Sequence, residues 1–95
     1  MKRALLAACL LARAAHADPA AQAKADAMFE KGQAAYQSGQ YTVAIDLFKQ
    51  AYELVRDPVY LFNTAQSYRK VGDCEGAYDY YSKYLTAAPD ADTTP

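Results

Sequence analysis

Two adjacent stretches of equal length decide the fold, ADAMFEKGQAAYQSGQYTVAIDLFKQAYELVRD (residues 25–57) and PVYLFNTAQSYRKVGDCEGAYDYYSKYLTAAPD (residues 58–90). Placing position 58 against position 25 aligns them without a gap, and we call this displacement the repeat offset. Six positions are then identical: Phe29 and Phe62, Gln33 and Gln66, Gly39 and Gly72, Ala44 and Ala77, Asp46 and Asp79, Asp57 and Asp90. Self-similarity at a fixed period is typical of repeat proteins, so the sequence predicts two copies of one structural unit.

The apolar pattern within each stretch is helical. From Tyr41 onward, apolar residues recur at spacings of three and four, and no run of period-two alternation is long enough to predict a strand. The residues of this face are Ala44, Ile45, Leu47, Phe48, Ala51, Tyr52, Leu54 and Val55. The sequence therefore predicts an all-α protein.

Capping residues and glycines predict where the helices begin and end. Asp18 and Asp57 each precede a proline, which suits the first position of a helix. Gly39 and Gly72 are suited to left-handed stops. The expected helices run from Pro19 to near Ser38, from Tyr41 or Thr42 to before Asp57, from Pro58 to about Val71, and from about Cys74 to Ala87. Their short connections predict four antiparallel neighbours.

At these positions the sequence resembles the tetratricopeptide repeat family, whose helix-turn-helix units of about 34 residues stack into a right-handed superhelical solenoid. The matching residues are Gly32, Ala44 and Phe48 in the first unit, and Ala65, Tyr68, Ala77, Tyr81 and Pro89 in the second. Met28 and Leu61 stand where the family prefers Trp. Lys31 and Thr64 depart from its Leu position, Ala35 replaces its Tyr, and Asp57-Pro58 comes one residue early.

The resemblance also implies which residues define the packing of each repeat. Small residues allow helices to approach closely, and aromatic rings fill the wider gaps. The expected packing residues are Gly32, Gly39, Ala44, Phe48, Ala51, Ala65, Tyr68, Gly72, Ala77 and Tyr81. Of the tyrosines crowded into the last helix, Tyr81 and Tyr84 are expected to face the core and Tyr80 to lie outward.

The amino terminus, over positions 1–17, has the parts of a secretory signal peptide. Lys2 and Arg3 precede an apolar run over 4–12, and Ala15-His16-Ala17 forms a small-x-small cleavage site before Asp18. The run is shorter than the roughly 20 residues that span a bilayer. A short amphipathic or disordered tail is one alternative. Another is a lipoprotein anchored at Cys9, although only five apolar residues precede that cysteine.

Cleavage after Ala17 would change the charge of the chain. Ten basic residues, less Lys2, Arg3 and Arg13, leave seven against eleven acidic ones, a net charge of about minus four. A mildly acidic chain without a basic face is not expected to bind nucleic acid. No transmembrane span is expected in the mature chain.

The mature sequence offers no catalytic group of residues. It would hold no histidine and one cysteine, Cys74, which is expected to be a small packing residue, so no familiar nucleophile–base pair or soft-metal site can form. Asp73, Glu75 and Asp79 are close in sequence, but acidic residues are favoured at a helix amino terminus. We therefore predict no enzyme and no cofactor-binding or metal-binding residue.

The resemblance implies that the first helix of each unit lines a concave protein-binding groove. The expected groove residues are Phe29, Gln33, Tyr36, Gln37, Phe62, Gln66, Arg69 and Lys70, with Asp26 and Val59 beside them. The two Phe offer apolar anchors, the Gln amides can pair with a peptide backbone, and Arg69-Lys70 can receive a carboxylate. Some family members grip a terminal carboxylate with a Lys/Asn/Arg clamp. Only Asn63 matches it, so that activity is not expected, and Asn63 is expected to bridge helices.

These observations predict an exported, non-enzymatic protein-interaction module, an adaptor or scaffold in the periplasm or cell envelope of a bacterium. The expected organisation is a signal peptide (1–17), the first part of helix one (18–24), repeat one (25–57), repeat two (58–90) and a tail or linker (91–95). Two alternatives stay open. One is a structural protein that self-associates through its last helix, whose uncovered side would hold Ala77, Tyr81, Tyr84 and Leu85. The other is a fragment of a longer repeat protein.

Overall fold

A computed structural model of the chain describes residues 18–88. Within that range the chain forms four helices and no strand, which confirms the all-α prediction. The helices are α1 (Pro19–Gln37), α2 (Tyr41–Leu54), α3 (Pro58–Val71) and α4 (Cys74–Ala87), and each packs against the next along the chain. The predicted signal peptide and tail lie outside the described residues. The bounds predicted for the two repeats stay predictions.

The helix ends follow the predicted capping chemistry. The Asp18 carboxylate accepts a hydrogen bond from the Ala21 N–H at 3.3 Å, and the Asp57 carboxylate accepts one from the Val59 N–H at 3.0 Å. Gly39 and Gly72 have φ angles of 84° and 89°, the left-handed region that glycine adopts without steric cost. Because the turns are this tight, α1 lies antiparallel to α2 and α3 to α4.

The first helix pair, α1 and α2, closes around Phe48, which is fully buried. A Cβ atom added at Gly32 would lie 2.5 Å from Cε1 of the Phe48 ring, so α1 can approach α2 this closely only with glycine there. The other predicted packing residues that are buried are Ala44, Ala51, Ala65 and Ala77.

Each helix pair contains a Phe flanked by two aromatic rings. The Phe29 centroid lies 5.6 Å from that of Phe48 and 5.4 Å from that of Tyr60. In the second pair, Phe62 lies 5.8 Å from Tyr81 and 5.3 Å from Tyr84. The first arrangement takes one ring from α3, the next helix along the chain, whereas the second takes both rings from α4.

The prediction that Tyr80 lies outward is wrong. Its ring stacks on Tyr68 of α3, with centroids 5.5 Å apart, and the side chain is half-buried. The physical reason lies partly in Gly76, where a Cβ atom would be 2.6 Å from Cδ1 of Tyr68. The missing side chain lets the first turn of α4 sit against the Tyr68 ring, and this brings Tyr80 within reach of the same ring.

The prediction for the uncovered side of the last helix is also wrong in part. Ala77 is buried, and Tyr81 and Tyr84 are half-buried against α3. Tyr78 and Leu85 are exposed instead, at 76% and 53%. The two tyrosine rings turn inward because Phe62 offers them an aromatic surface.

Two single-residue predictions also need correction. Cys74 is exposed at the first position of α4, so it is not a packing residue. Asn63 does not bridge helices, because its side-chain amide donates to the backbone oxygen of Val59, one turn earlier in α3, at 2.9 Å.

Candidate protein-binding faces

The predicted groove residues lie on α1 and α3, which meet where the rings of Phe29 and Tyr60 pack together. We call this surface the α1–α3 face. It comprises the predicted set Phe29, Gln33, Tyr36, Gln37, Phe62, Gln66, Arg69 and Lys70, with Asp26 and Val59.

Some of these side chains are already engaged within the chain. Phe29 is half-buried between two rings, and Tyr36 packs edge-on against Tyr41 at a centroid distance of 5.3 Å. The Gln66 side-chain oxygen accepts a hydrogen bond from the Tyr81 hydroxyl. These contacts fix the positions of the side chains and leave them only partly available to a partner.

The remaining members of the α1–α3 face are open to solvent. Gln33 and Gln37 are exposed on α1, and Arg69 and Lys70 are exposed in the last turn of α3. Phe62, at 37% exposed, lies earlier on the same helix. The face therefore combines an apolar ring, amide groups that can donate and accept, and two cations at a helix carboxyl terminus, where positive charge is favoured.

A second surface lies between α2 and α4, with α3 as its floor. It is an open groove of about 460 Å³. The lining residues are Tyr52, Arg56, Leu61, Asp79, Ser82, Lys83, Thr86 and Ala87. We call it the α2–α4 groove.

Lys49 lies at one end of this region, between the rings of two tyrosines. Its Nζ donates to the Tyr68 hydroxyl at 2.8 Å and lies 5.3 Å from the centroid of Tyr68 and 5.4 Å from that of Tyr80. The hydrogen bond from Lys49 to Tyr68 raises the pKa of the ammonium above its ordinary value, against a smaller opposing effect of desolvation. This cation–π contact joins α2 to both α3 and α4.

Two further cations lie against tyrosines along the α2–α4 groove. Lys83 pairs with Asp79 at 2.6 Å, one helical turn away, and lies 4.9 Å from the centroid of Tyr80. The hydrogen bond to Asp79 raises the pKa of Lys83. Arg56 lies over Tyr52 at 5.2 Å. Since the lysine charge is shared with a carboxylate, Arg56 is the more available cation of the two.

A family model described as tetratricopeptide repeat matches residues 3–59 and, again, residues 29–92. Each match covers more than half of the chain. The chain belongs to the tetratricopeptide repeat family. The two matches end at positions 59 and 92, which correspond to each other under the repeat offset. A search of the curated proteins found no match.

Tetratricopeptide repeats are non-enzymatic repeats that mediate protein–protein interactions. Both surfaces described above consist of side chains suited to that task, since aromatic residues and arginine are common in protein interfaces. Among residues 18–88, no helix is long and apolar enough to cross a membrane.

Sequence reasoning missed the cation–tyrosine contacts of this tetratricopeptide repeat pair. Lys49 and Tyr80 are far apart in sequence, and the repeat offset takes Lys49 to Ser82, so the internal repeat gives no hint of the contact. Gly76 is the one sequence feature that could have indicated this packing, because a glycine in the first turn of a helix marks a place where another group approaches closely.

Proposed function

We propose that this chain is a protein-binding adaptor that holds a peptide or a partner helix on its α1–α3 face. The observation that carries the proposal is the combination of exposed Phe62 with exposed Arg69 and Lys70 on one helix, together with exposed Gln33 on α1. Membership of a family that mediates protein–protein interactions supports it.

The side chains of the face suggest what the partner carries. An apolar side chain would pack on the open part of the Phe62 ring, and a carboxylate would pair with Arg69 or Lys70. The Gln33 amide can donate to and accept from a peptide backbone at the same time. The partner segment is therefore amphipathic, with an acidic group roughly two helical turns from its apolar anchor.

The place of action in this proposal is the periplasm or cell envelope of a bacterium. The amino-terminal arrangement of a basic end, an apolar run and a small-x-small site before Asp18 supports export. A mildly acidic mature chain is compatible with an envelope adaptor that remains in aqueous solution.

Site-specific photo-crosslinking in living cells tests both parts of the proposal. A photoreactive phenylalanine analogue replaces Gln33 or Arg69 on the α1–α3 face, and Asp46 or Gln50, which are exposed on α2, as controls. The expected result is one dominant covalent product in the envelope fraction from the first two positions and at least tenfold less from the controls. The recovered chain is expected to have the mass of a protein beginning at Asp18.

A double variant that changes both the size and the charge of side chains on the α1–α3 face tests whether binding is lost. The double variant Phe62→Ala with Arg69→Glu is expected to reduce the crosslinked product at least tenfold. The control is Val43→Ala with Arg56→Glu, which truncates an apolar residue and reverses an arginine outside this face. It is expected to leave the amount of product unchanged. Circular dichroism checks that both variants keep their helices. Equal products from all four positions, or from both double variants, would rule out the α1–α3 face as the binding surface.

A further inference from the structure

The contact between the two helix pairs shows how a helix covers the first pair. Ala25 of α1, Ala51 of α2 and Tyr60 of α3 form one buried cluster. The Tyr60 ring also lies 5.4 Å from that of Phe29. Burial of this apolar surface by α3 stabilises the second pair against the first.

The second pair has a corresponding surface, which we call the open end. The repeat offset takes Phe29, Ala51, Tyr52, Leu54 and Val55 to Phe62, Tyr84, Leu85, Ala87 and Ala88, the residues of the open end. Phe62 is 37% exposed and Leu85 is 53% exposed. Within residues 18–88, two large apolar side chains therefore face solvent at the position where the first pair is covered by a helix.

The open end differs from its counterpart in the source of one aromatic ring. Tyr84 lies 5.3 Å from Phe62 at an interplanar angle of 57°, and Tyr60 lies 5.4 Å from Phe29 at 46°. The second pair thus supplies from its own helix the ring that α3 brings to the first pair. Because Tyr84 replaces Ala51, a helix that covers the open end needs a small residue at the register of Tyr60.

Helix α1 carries a small residue at that register. Ala27 corresponds to Tyr60 under the repeat offset and is exposed. The next residue, Met28, similarly corresponds to Leu61, another flexible apolar side chain. A contact between Ala27 of one copy and Tyr84 of another would contain the same two residue types as Ala51 with Tyr60, in reverse order. The filled volume is the same, and volume-conserving exchanges of this kind are tolerated best.

The rest of α1 fits the register with one mismatch. Ala34, which is exposed, corresponds to the buried Ser67, so both are small. Lys31 corresponds to Thr64, a buried residue of α3. Because Thr64 is only 1% exposed, a lysine at its register must extend its aliphatic stem past Leu85 to keep its ammonium in water. The mismatch weakens the contact without preventing it.

We propose that the open end binds α1 of a second copy of this chain, in the way that α3 covers the first helix pair. The surface that binds and the surface that is bound are different, so the contact is head-to-tail. Such a contact leaves one free end at each terminus of the assembly, and further copies can add without closing a ring. A symmetric pairing of two α4 helices would instead stop at a dimer.

Sedimentation velocity of the purified protein over a hundredfold range of concentration tests the proposal. The unmodified chain is expected to pass from monomer to dimer, trimer and larger species. Ala27→Tyr places two tyrosine rings against each other at the contact, and Tyr84→Ala leaves a cavity there. Each variant alone is therefore expected to raise the dissociation constant of self-association at least tenfold. Gln37→Tyr is the matched control, because its counterpart Lys70 is exposed outside the contact.

An equimolar mixture of the two single variants gives the decisive readout. Tyr at position 27 of one variant then meets Ala at position 84 of the other, and the opposite contact is the native one. The mixture is therefore expected to associate at least fivefold more tightly than either variant alone. In a separate experiment, Lys31→Thr as the only substitution is expected to make the chain associate more tightly with itself. Thermal melts check that each variant is folded. A monomer at every concentration, a closed dimer, or a mixture no tighter than its components would overturn the proposal.

Discussion

The two helix pairs keep the same spacing but place their bulky side chains on different helices. In the first pair, Ala35 of α1 corresponds to Tyr68 of α3, and Val43 of α2 corresponds to Gly76 of α4. A Cβ atom at Gly76 would lie 2.6 Å from Tyr68. The large residue has therefore moved to the first helix of the pair, and the second helix has lost its side chain to make room. In the second pair, close packing thus depends on a large residue of one helix opposite a residue without a side chain on the other.

The same kind of exchange occurs where each pair presents its outer surface. Ala51 is covered by α3, and Tyr84 at the matching position covers Phe62 itself. The first pair accepts a large residue, Tyr60, from the next helix, whereas the second pair supplies Tyr84 from its own helix. Changes at matched positions should therefore have unequal effects.

The largest expected effect comes from Gly32→Leu. The new Cβ would lie 2.5 Å from the buried Phe48 ring, and the remaining side-chain atoms have no space. We expect a loss of about 3 kcal/mol or more, which is a large part of the stability of a small domain. The matched change Gln33→Leu, on the exposed neighbour, should shift stability by less than about 0.5 kcal/mol. Circular dichroism melts measure both. A cooperative melt of Gly32→Leu at the parent temperature would contradict the close approach of α1 and α2.

The second prediction compares the two tyrosines that flank the Phe residues. Tyr60 is 3% exposed, so Tyr60→Ala should cost about 2–3 kcal/mol, less than Gly32→Leu, because the truncation removes a buried ring without forcing atoms to overlap. Tyr84 is half-buried, and Tyr84→Ala should cost about 1–2 kcal/mol, since less apolar surface is lost. Urea unfolding of dilute protein measures both. Equal losses would show that Tyr84 is covered as fully as Tyr60.

The third prediction concerns Lys49→Met, whose effect is expected to be smaller than those of the tyrosine truncations. The hydrogen bond to Tyr68 raises the pKa of Lys49 in the folded chain, so its stabilisation is fully present below the unfolded pKa. It is lost as the pH rises through the higher folded pKa. At pH 7 the loss should be about 0.5–1 kcal/mol, the usual strength of an exposed cation–π contact. The difference between the two proteins should shrink above pH ~10.5.

Lys83→Met is the control for that measurement. Its ammonium also lies near Tyr80 but is exposed and shares its charge with Asp79. A smaller change than that of Lys49→Met is expected. If the two lysines give equal losses with no pH dependence, the contact of Lys49 with two rings has no special role.

The fold was predictable from the sequence because its determinants are local. Asp18 and Asp57 before prolines, and Gly39 and Gly72 after helices, act through backbone groups a few residues away. These signals predict nearly all the helix ends. The resemblance of the two stretches then predicts the pairing of the helices.

The side-chain positions on α4 were less predictable because they depend on contacts between helices. Repeat spacing predicted the wrong direction for Tyr80, because the ring on which it stacks belongs to α3. The space for it depends on Gly76, whose role is visible only once α3 and α4 are placed together. The contact of Lys49 with Tyr68 and Tyr80 likewise needs three helices at once. For the α1–α3 face, the pattern indicated the helices that carry its residues but not which side chains are already engaged within the chain. It gave no indication of the α2–α4 groove.

Proton NMR of the aromatic rings tests the central comparison most directly. A nuclear Overhauser effect is predicted from the Phe29 ring to Tyr60, across the two helix pairs, since their centroids are 5.4 Å apart. A second is predicted from the Phe62 ring to Tyr84, within the second pair, since their centroids are 5.3 Å apart. Dilute samples keep both effects intramolecular. A Phe62 ring without an effect to Tyr84, together with an effect from Phe29 to Tyr60, would contradict the account, because the second pair would then lack a ring of its own at the open end.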